Sequence, residues 1–337
     1  LVAFALSSFA TSRSSIAADR VFPDTGVTAS GEIKELSPVK VVIEVRGKTQ
    51  EYPIADVIRI EFDGEPSNLS RAKELAISGQ FDDADAEMRK VDRARLNNAT
   101  LQSEYVYYTA FIEGNRALSG NGDASQASAA LLTYEKDNNP SYHLYGTAEL
   151  VGRLKLQLGL YDEAEKYFGA LTRSPSEIAK VRGAYFVGQL KLKQNKFVEA
   201  AAEFETVLNM TPQNAEMARF QTLAKIGKAR ATAETGDPAA ALALLNELVA
   251  ETDSTDGELH AQIQVARGNV MLKQKNQTGA LLAFLRVDTL FFNSPEDHAE
   301  ALYQLSELWT AEGQPQKAAS AKSRLLSNYP GSPWNRS

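Results

Sequence analysis

Three histidines, His143, His260 and His298, are the side chains of this sequence best suited to metal ligation or proton transfer, and their spacing favours neither. A helical metal site needs a second histidine or a carboxylate at i+4, and none of the three has one. They read as surface or packing residues. Gly120-Asn121-Gly122 follows a helical pattern rather than a strand and lacks the third glycine of a dinucleotide-binding loop, so it reads as a turn. The acidic run Asp253 to Glu258 approaches a calcium loop, but Thr252, Ser254 and Ile263 stand where carboxylates are required. Asp82, Asp83 and Asp85 gather at an expected helix start, where negative charge suits the macrodipole. The absence of cysteine removes disulfides, thiolate metal sites and cysteine nucleophiles. No catalytic residue, metal or cofactor is therefore expected, and the chain reads as a non-enzyme.

What remains is a binding role, and composition limits its partners. The 337 residues are 43% hydrophobic and 23% charged, ordinary for a folded protein of one to three domains. The formal net charge of -7 disfavours a phosphate-binding surface, so nucleic acid is not an expected partner. Residues 1–18 look like the end of a secretory signal peptide, with an apolar run from Leu1 to Ala10 and small residues at Ser15, Ala17 and Ala18. That predicts an exported, periplasmic protein. The run is too short to span a bilayer and no other segment approaches that length, so an integral membrane protein is not expected.

Residues 25–63 lack the helical period and read as strands. Val27 to Ala29 leads through Gly31 into Glu32 and Ile33, and Val39 to Val45 is β-branched. Gly47 turns the chain into Thr49 to Tyr52, and Val57 to Phe62 alternates with period two. Three to five strands in so short a segment suggest a strongly bent sheet or an SH3-like open barrel. Such a module caps one end of the neighbouring helical region, or binds a peptide or glycan.

From residue 68 to residue 333 the chain reads as about seven helical hairpins. The small residue opening each second helix recurs at Ala84, Ala127, Ala164, Ala200, Ala241, Ala280 and Ala318. Four residues on stand Met88, Leu131, Phe168, Phe204, Leu245, Phe284 and Lys322, and three further Val91, Tyr134, Leu171, Val207, Leu248, Val287 and Leu325. Steps of four and three keep these on one helix face, and only Lys322 breaks the apolar column. A chain that repeats one such unit stacks its copies into a solenoid.

These residues carry a resemblance to tetratricopeptide repeats. Gly188, Phe197, Ala200, Phe204, Val207 and Pro212 fit that family's pattern in one copy, with Asn195 at the turn usually held by glycine. Gly152, Gly159, Tyr161, Ala164, Phe168 and Leu171 fit in another, and Leu302, Leu305, Trp309, Gly313, Ala318, Leu325 and Pro330 in the last. The ending Asn328-Tyr329-Pro330-Gly331-Ser332 resembles bacterial envelope proteins of the family, such as outer-membrane-assembly and cell-division-coordination factors. The resemblance implies a mainly α fold, a right-handed superhelix of helix pairs, preceded here by the small β module. It also implies that Arg153, Gln157, Gln189, Lys193, Arg230, Asn269 and Lys273 face the groove. Four of these seven are basic in an acidic protein, which suits an acidic protein segment or a carboxylate terminus, or marks a merely solvated concave face. The function implied is a scaffold or adaptor of the bacterial cell envelope; an accessory subunit of an envelope enzyme or glycan-processing complex is the alternative. Oligomeric state is open.

Overall fold

A computed structural model describes residues 18–336, so all but the last residue of the expected signal peptide lies outside it. The sheet starts earlier than Thr25. Strand β1, Asp19–Pro23, was hidden beside the leader-like residues and pairs antiparallel with both β2, Ala29–Leu36, and β5, Val57–Glu61. Strands β3, Lys40–Val45, and β4, Lys48–Pro53, complete the order β4-β3-β2-β1-β5. Arg46 and Gly47 both take positive φ, 52° and 76°, which gives the β3–β4 hairpin the twist its strands require. A shift of register between Ile33 and Glu35 bends β2, and a 3-10 turn at Ile54–Asp56 leads into β5, so the meander folds into an SH3-like open sheet. Val21, Val41, Ile43 and Ile60 fill its interior.

Fourteen helices follow in seven pairs: α1 Ser67–Ile77 with α2 Phe81–Met88, α3 Ala99–Leu118 with α4 Ala124–Asn138, and α5 Leu144–Gln157 with α6 Tyr161–Thr172. Then come α7 Glu177–Lys193 with α8 Phe197–Leu208, α9 Ala215–Glu234 with α10 Pro238–Glu251, α11 Gly257–Lys273 with α12 Gln277–Leu290, and α13 Pro295–Ala311 with α14 Pro315–Asn328. Every apolar residue of the repeating column is buried, from Ala84 to Leu325. Lys322 is exposed and Ala321 beside it takes the buried place. Glycine on the first helix makes room for the aromatic on the second. A Cβ at Gly152, Gly188 or Gly268 would lie 2.4, 2.7 or 2.5 Å from the ring of Phe168, Phe204 or Phe284.

The sheet is joined to the helices by buried charge. The Lys73 ammonium on α1, with no solvent exposure, donates to the Ile60 carbonyl of β5 at 2.7 Å, to Glu65 at 3.0 Å and to Glu104 on α3 at 2.7 Å. Glu104 also accepts from the Tyr142 hydroxyl at 2.7 Å and from His143 Nε2 at 2.9 Å. Burial alone would raise the Glu104 pKa; Lys73 and His143 outweigh it and hold the carboxyl well below the usual carboxylate range. One network thus fixes β5, α1, α3 and the start of α5 to one another. His298 is likewise internal, set between the Tyr329 hydroxyl at 2.7 Å and Asp288 at 2.8 Å.

The first helix of each pair packs against the first helix of the next, which places the odd-numbered helices on the concave side. The array then closes on itself. After α14 the backbone N–H of Gly331 donates to the Gly120 carbonyl in the α3–α4 turn, at 2.7 Å. On the inner surface Arg153 of α5 reaches Glu296 of α13, 143 residues away, at 3.1 Å. Pairs two to seven therefore surround a lumen.

Candidate binding lumen

The lumen wall is built from stripes of the inner helices. On α7, Arg182, Tyr185, Gln189 and Lys193 follow at steps of three and four, so they share one face. Arg182 is held between Glu149 of α5 and Glu216 of α9, and Arg219 of α9 between Asp256 and Glu258 at the start of α11. The acidic run that approached a calcium loop has a structural role here. Asp256 caps α11 through the Leu259 N–H at 3.0 Å, and Asp253 receives the Thr255 N–H at 2.8 Å. Among the described residues no group of three metal-ligating side chains gathers.

Three of the seven groove residues implied by the repeat pattern, Arg153, Gln189 and Arg230, act on Tyr185. Its hydroxyl receives the Gln189 amide at 2.9 Å and lies in the fields of Arg230, Asp297 and Arg153. Asn269 donates to Glu300 of α13 at 2.7 Å, and Glu300 acts in turn on Lys193. The other two stand apart. Gln157 braces α5 against α3 by donating to the Ala117 carbonyl at 3.1 Å, and Lys273 is neutralised by Glu234 of α9.

The four expected cations thus divide. Arg153 is engaged by Glu296 and Lys273 by Glu234, whereas Lys193 and Arg230 form no ion pair among the described residues. Glu296 lies far along the chain from Arg153, so sequence spacing carried no sign of their pairing. Lys193 is open to solvent by area, yet protein surrounds it on most sides, and this pushes its pKa below the ordinary lysine value. Glu300 and Glu296 oppose that shift while neighbouring Arg230 adds to it. The ammonium also faces the ring of Trp334 at 5.6 Å. Opposite these cations, Asp297 on α13 is enclosed enough that its pKa is pushed up to about 8, against the Ser294 hydroxyl that donates to it at 2.6 Å; Glu300, Glu296 and Glu258 add to the rise. The lumen therefore has a basic wall from α7 and α9 and an acidic wall from α13. Sequence reasoning missed Arg182, Tyr185 and the α13 carboxylates. The first two were within reach, since they continue the Gln189 and Lys193 stripe toward the start of α7.

A second concavity, of about 470 Å³, lies between the sheet and the helices. Phe22 faces Arg59 and Pro23 faces Val57, so Ile58 is the extra residue of a bulge, and it is 48% exposed in this cleft. Tyr107, Tyr108 and Tyr145 line the other side.

A family model for the tetratricopeptide repeat matches residues 151–215 and 226–295. No curated protein matches the chain in sequence. Among solved structures, a tetratricopeptide repeat protein from Parabacteroides merdae ATCC 43184 is similar with a TM-score of 0.51 at 14% identity, over 77% of this chain and 91% of that one. A Rap protein complexed with competence and sporulation factor is similar with a TM-score of 0.52, also at 14% identity, over 80% of this chain and 76% of the other. At such identities the likeness concerns the fold alone.

Proposed function

We propose that this chain, whose residues 151–215 and 226–295 match the tetratricopeptide-repeat model and which carries a small five-stranded sheet, is a scaffold for protein interaction whose lumen receives acidic protein segments in the bacterial cell envelope. The observation that carries this reading is the neighbouring pair Lys193 and Arg230, two cations on one concave wall with no carboxylate in ion-pair contact among the described residues. Holding like charges together inside a partly desolvated cavity is unfavourable until an anion arrives. A carboxylate placed between them gains charge-assisted hydrogen bonds, with the Gln189 amide and Tyr185 hydroxyl beside it to fix its orientation. The likeness to a Rap protein complexed with competence and sporulation factor supports the reading at the level of fold.

Export rests on the leader-like residues 1–18. No helix of the described residues is long and apolar enough to cross a membrane. In this reading the protein is a periplasmic adaptor, non-enzymatic, with the sheet capping the first helix pair and the cleft at Ile58 lending it a share in recognition. Fractionation of the native cell tests the compartment: recovery in the periplasm without residues 1–17 is expected, and recovery only from the cytosol with those residues attached would overturn it. For the lumen, fluorescence anisotropy with a labelled glutamate-rich peptide compares the native protein with Lys193→Glu/Arg230→Glu. Loss of two charge-assisted hydrogen bonds, each worth about 1.5 to 3 kcal/mol, should weaken binding by at least roughly a hundredfold. Unchanged affinity would remove Lys193 and Arg230 from the site.

A further inference from the structure

The lumen is shut at one seam, and the seam is slight. Gly331 meets the α3–α4 turn backbone to backbone: a Cβ there would lie 3.0 Å from the Gly120 oxygen and 3.2 Å from that of Gly122. Gly120 is as tightly placed, its own Cβ position lying 3.1 Å from Tyr329 Cβ and 3.3 Å from the Ser332 nitrogen. The contact thus depends on a Gly–Gly fit and one N–H···O bond of 2.7 Å. Its second element is the Arg153–Glu296 bridge, whose side chains are 30% and 59% exposed, and a pair so open to water holds weakly. The third is Trp334, whose ring lies tilted against Tyr303 with centroids 5.1 Å apart and faces the Lys193 ammonium at 5.6 Å. Tyr329, by contrast, is anchored: its hydroxyl meets buried His298, and Asn335 folds back to donate to the Tyr329 carbonyl at 2.6 Å.

We infer that the segment Tyr329–Asn335 is a strap that holds the superhelix closed, and that an acidic partner segment enters the lumen when the strap and the Arg153–Glu296 bridge release. The inference rests on the lumen being the binding site proposed above. A ligand shifts such an equilibrium only by binding the open form better, and the contacts supply that difference. In the closed form Glu296 engages Arg153 and the Trp334 ring faces the solvent-open Lys193 ammonium at 5.6 Å, so opening frees Arg153 for a ligand carboxylate and removes the ring from beside Lys193. The strap at Lys193 and the α13 carboxylate at Arg153 are thus self-contacts that compete with the partner for those two side chains.

The cysteine-free chain makes the test direct, because two introduced cysteines carry every spin label. Ala130→Cys on α4 and Ser323→Cys on α14 are exposed positions flanking the seam. Pulsed electron resonance on this pair should give one narrow distance distribution in the free protein. Introducing Gly331→Val, which forces a side chain against the Gly120 carbonyl, or Trp334→Ala should move it to longer and broader separations, with helicity by circular dichroism unchanged. Trp334→Ala leaves the Gly–Gly fit intact, so it remains informative if Gly331→Val folds poorly. Adding the glutamate-rich peptide to the native pair should produce the same lengthening, and in stopped flow Trp334→Ala should speed peptide association about tenfold if roughly a tenth of the native protein is open at rest. Distributions unmoved by both substitutions would overturn the strap. Distributions that lengthen in the variants while the peptide binds neither form would keep the seam as a hinge and overturn the acidic-ligand reading instead.

Discussion

Lys275 adopts φ of 59° in the α11–α12 turn, a place where five of the seven pairs put a positive-φ glycine and another puts Asn195 at 60°. A residue with a Cβ is strained there, so Lys275→Gly should raise the unfolding free energy by about 1 kcal/mol, read from urea midpoints. Gly188→Ala should do the opposite, since its Cβ would press on the Phe204 ring from 2.7 Å; overpacking of this kind costs about 1 to 3 kcal/mol. Two carboxylates should mark the pH profile with opposite signs. Burial would raise the Asp288 pKa, but hydrogen bonds from His298 and Arg324 lower it to about 2 from 3.8. Its stabilisation is therefore complete above its unfolded pKa and is lost as pH falls from 3.8 toward 2. Asp297, raised by burial to about 8, binds its proton more tightly folded than unfolded. Its contribution is complete below pH 3.8 and is lost as pH rises through 8. Urea midpoints against pH should lose the acid-side fall in Asp288→Asn and the alkaline-side fall in Asp297→Asn.

At the scale of elements, the sheet and the helices should behave as one unit, because the network that joins them is buried. Lys73→Ala leaves Glu65 and Glu104 inside without their cation, and breaking a buried pair this way costs about 3 to 5 kcal/mol. Hydrogen exchange should then quicken across β5 and α1 together; acceleration confined to α1 would show the sheet to be independent. The helices themselves were legible in the sequence, because the repeat is local. A step of four then three from Ala200 to Phe204 to Val207 recurs in each pair, and the glycine that accommodates the aromatic lies at a fixed distance from it. The junction was not legible. Glu104 lies 31 residues from Lys73 and 39 from His143, and charged residues on an amphipathic helix read as solvent-facing until a second module covers them. Strand β1 escaped for a related reason: its short Arg20-Val21-Phe22 run becomes a strand by pairing between β2 and the distant β5.

For the whole molecule, the repeat resemblance implied a superhelical groove with four cations, and in the structure the array meets itself and two of them are answered from within. That difference comes from superhelical geometry. The rotation per repeat brings α13 opposite α5 and the Gly331 strap onto Gly120, contacts far apart in the chain that no local pattern encodes. It also narrows the functional claim to Lys193 and Arg230, which the array leaves without ion-pair partners among the described residues. A charge exchange tests that claim most directly: affinities of a glutamate-rich and a lysine-rich peptide of equal length, measured by anisotropy for the native protein and for Lys193→Glu/Arg230→Glu. If the two cations select the ligand, the native protein prefers the acidic peptide, the variant prefers the basic one, and added salt weakens both preferred complexes. An acidic peptide bound equally by both proteins, or bound by neither, would contradict the account.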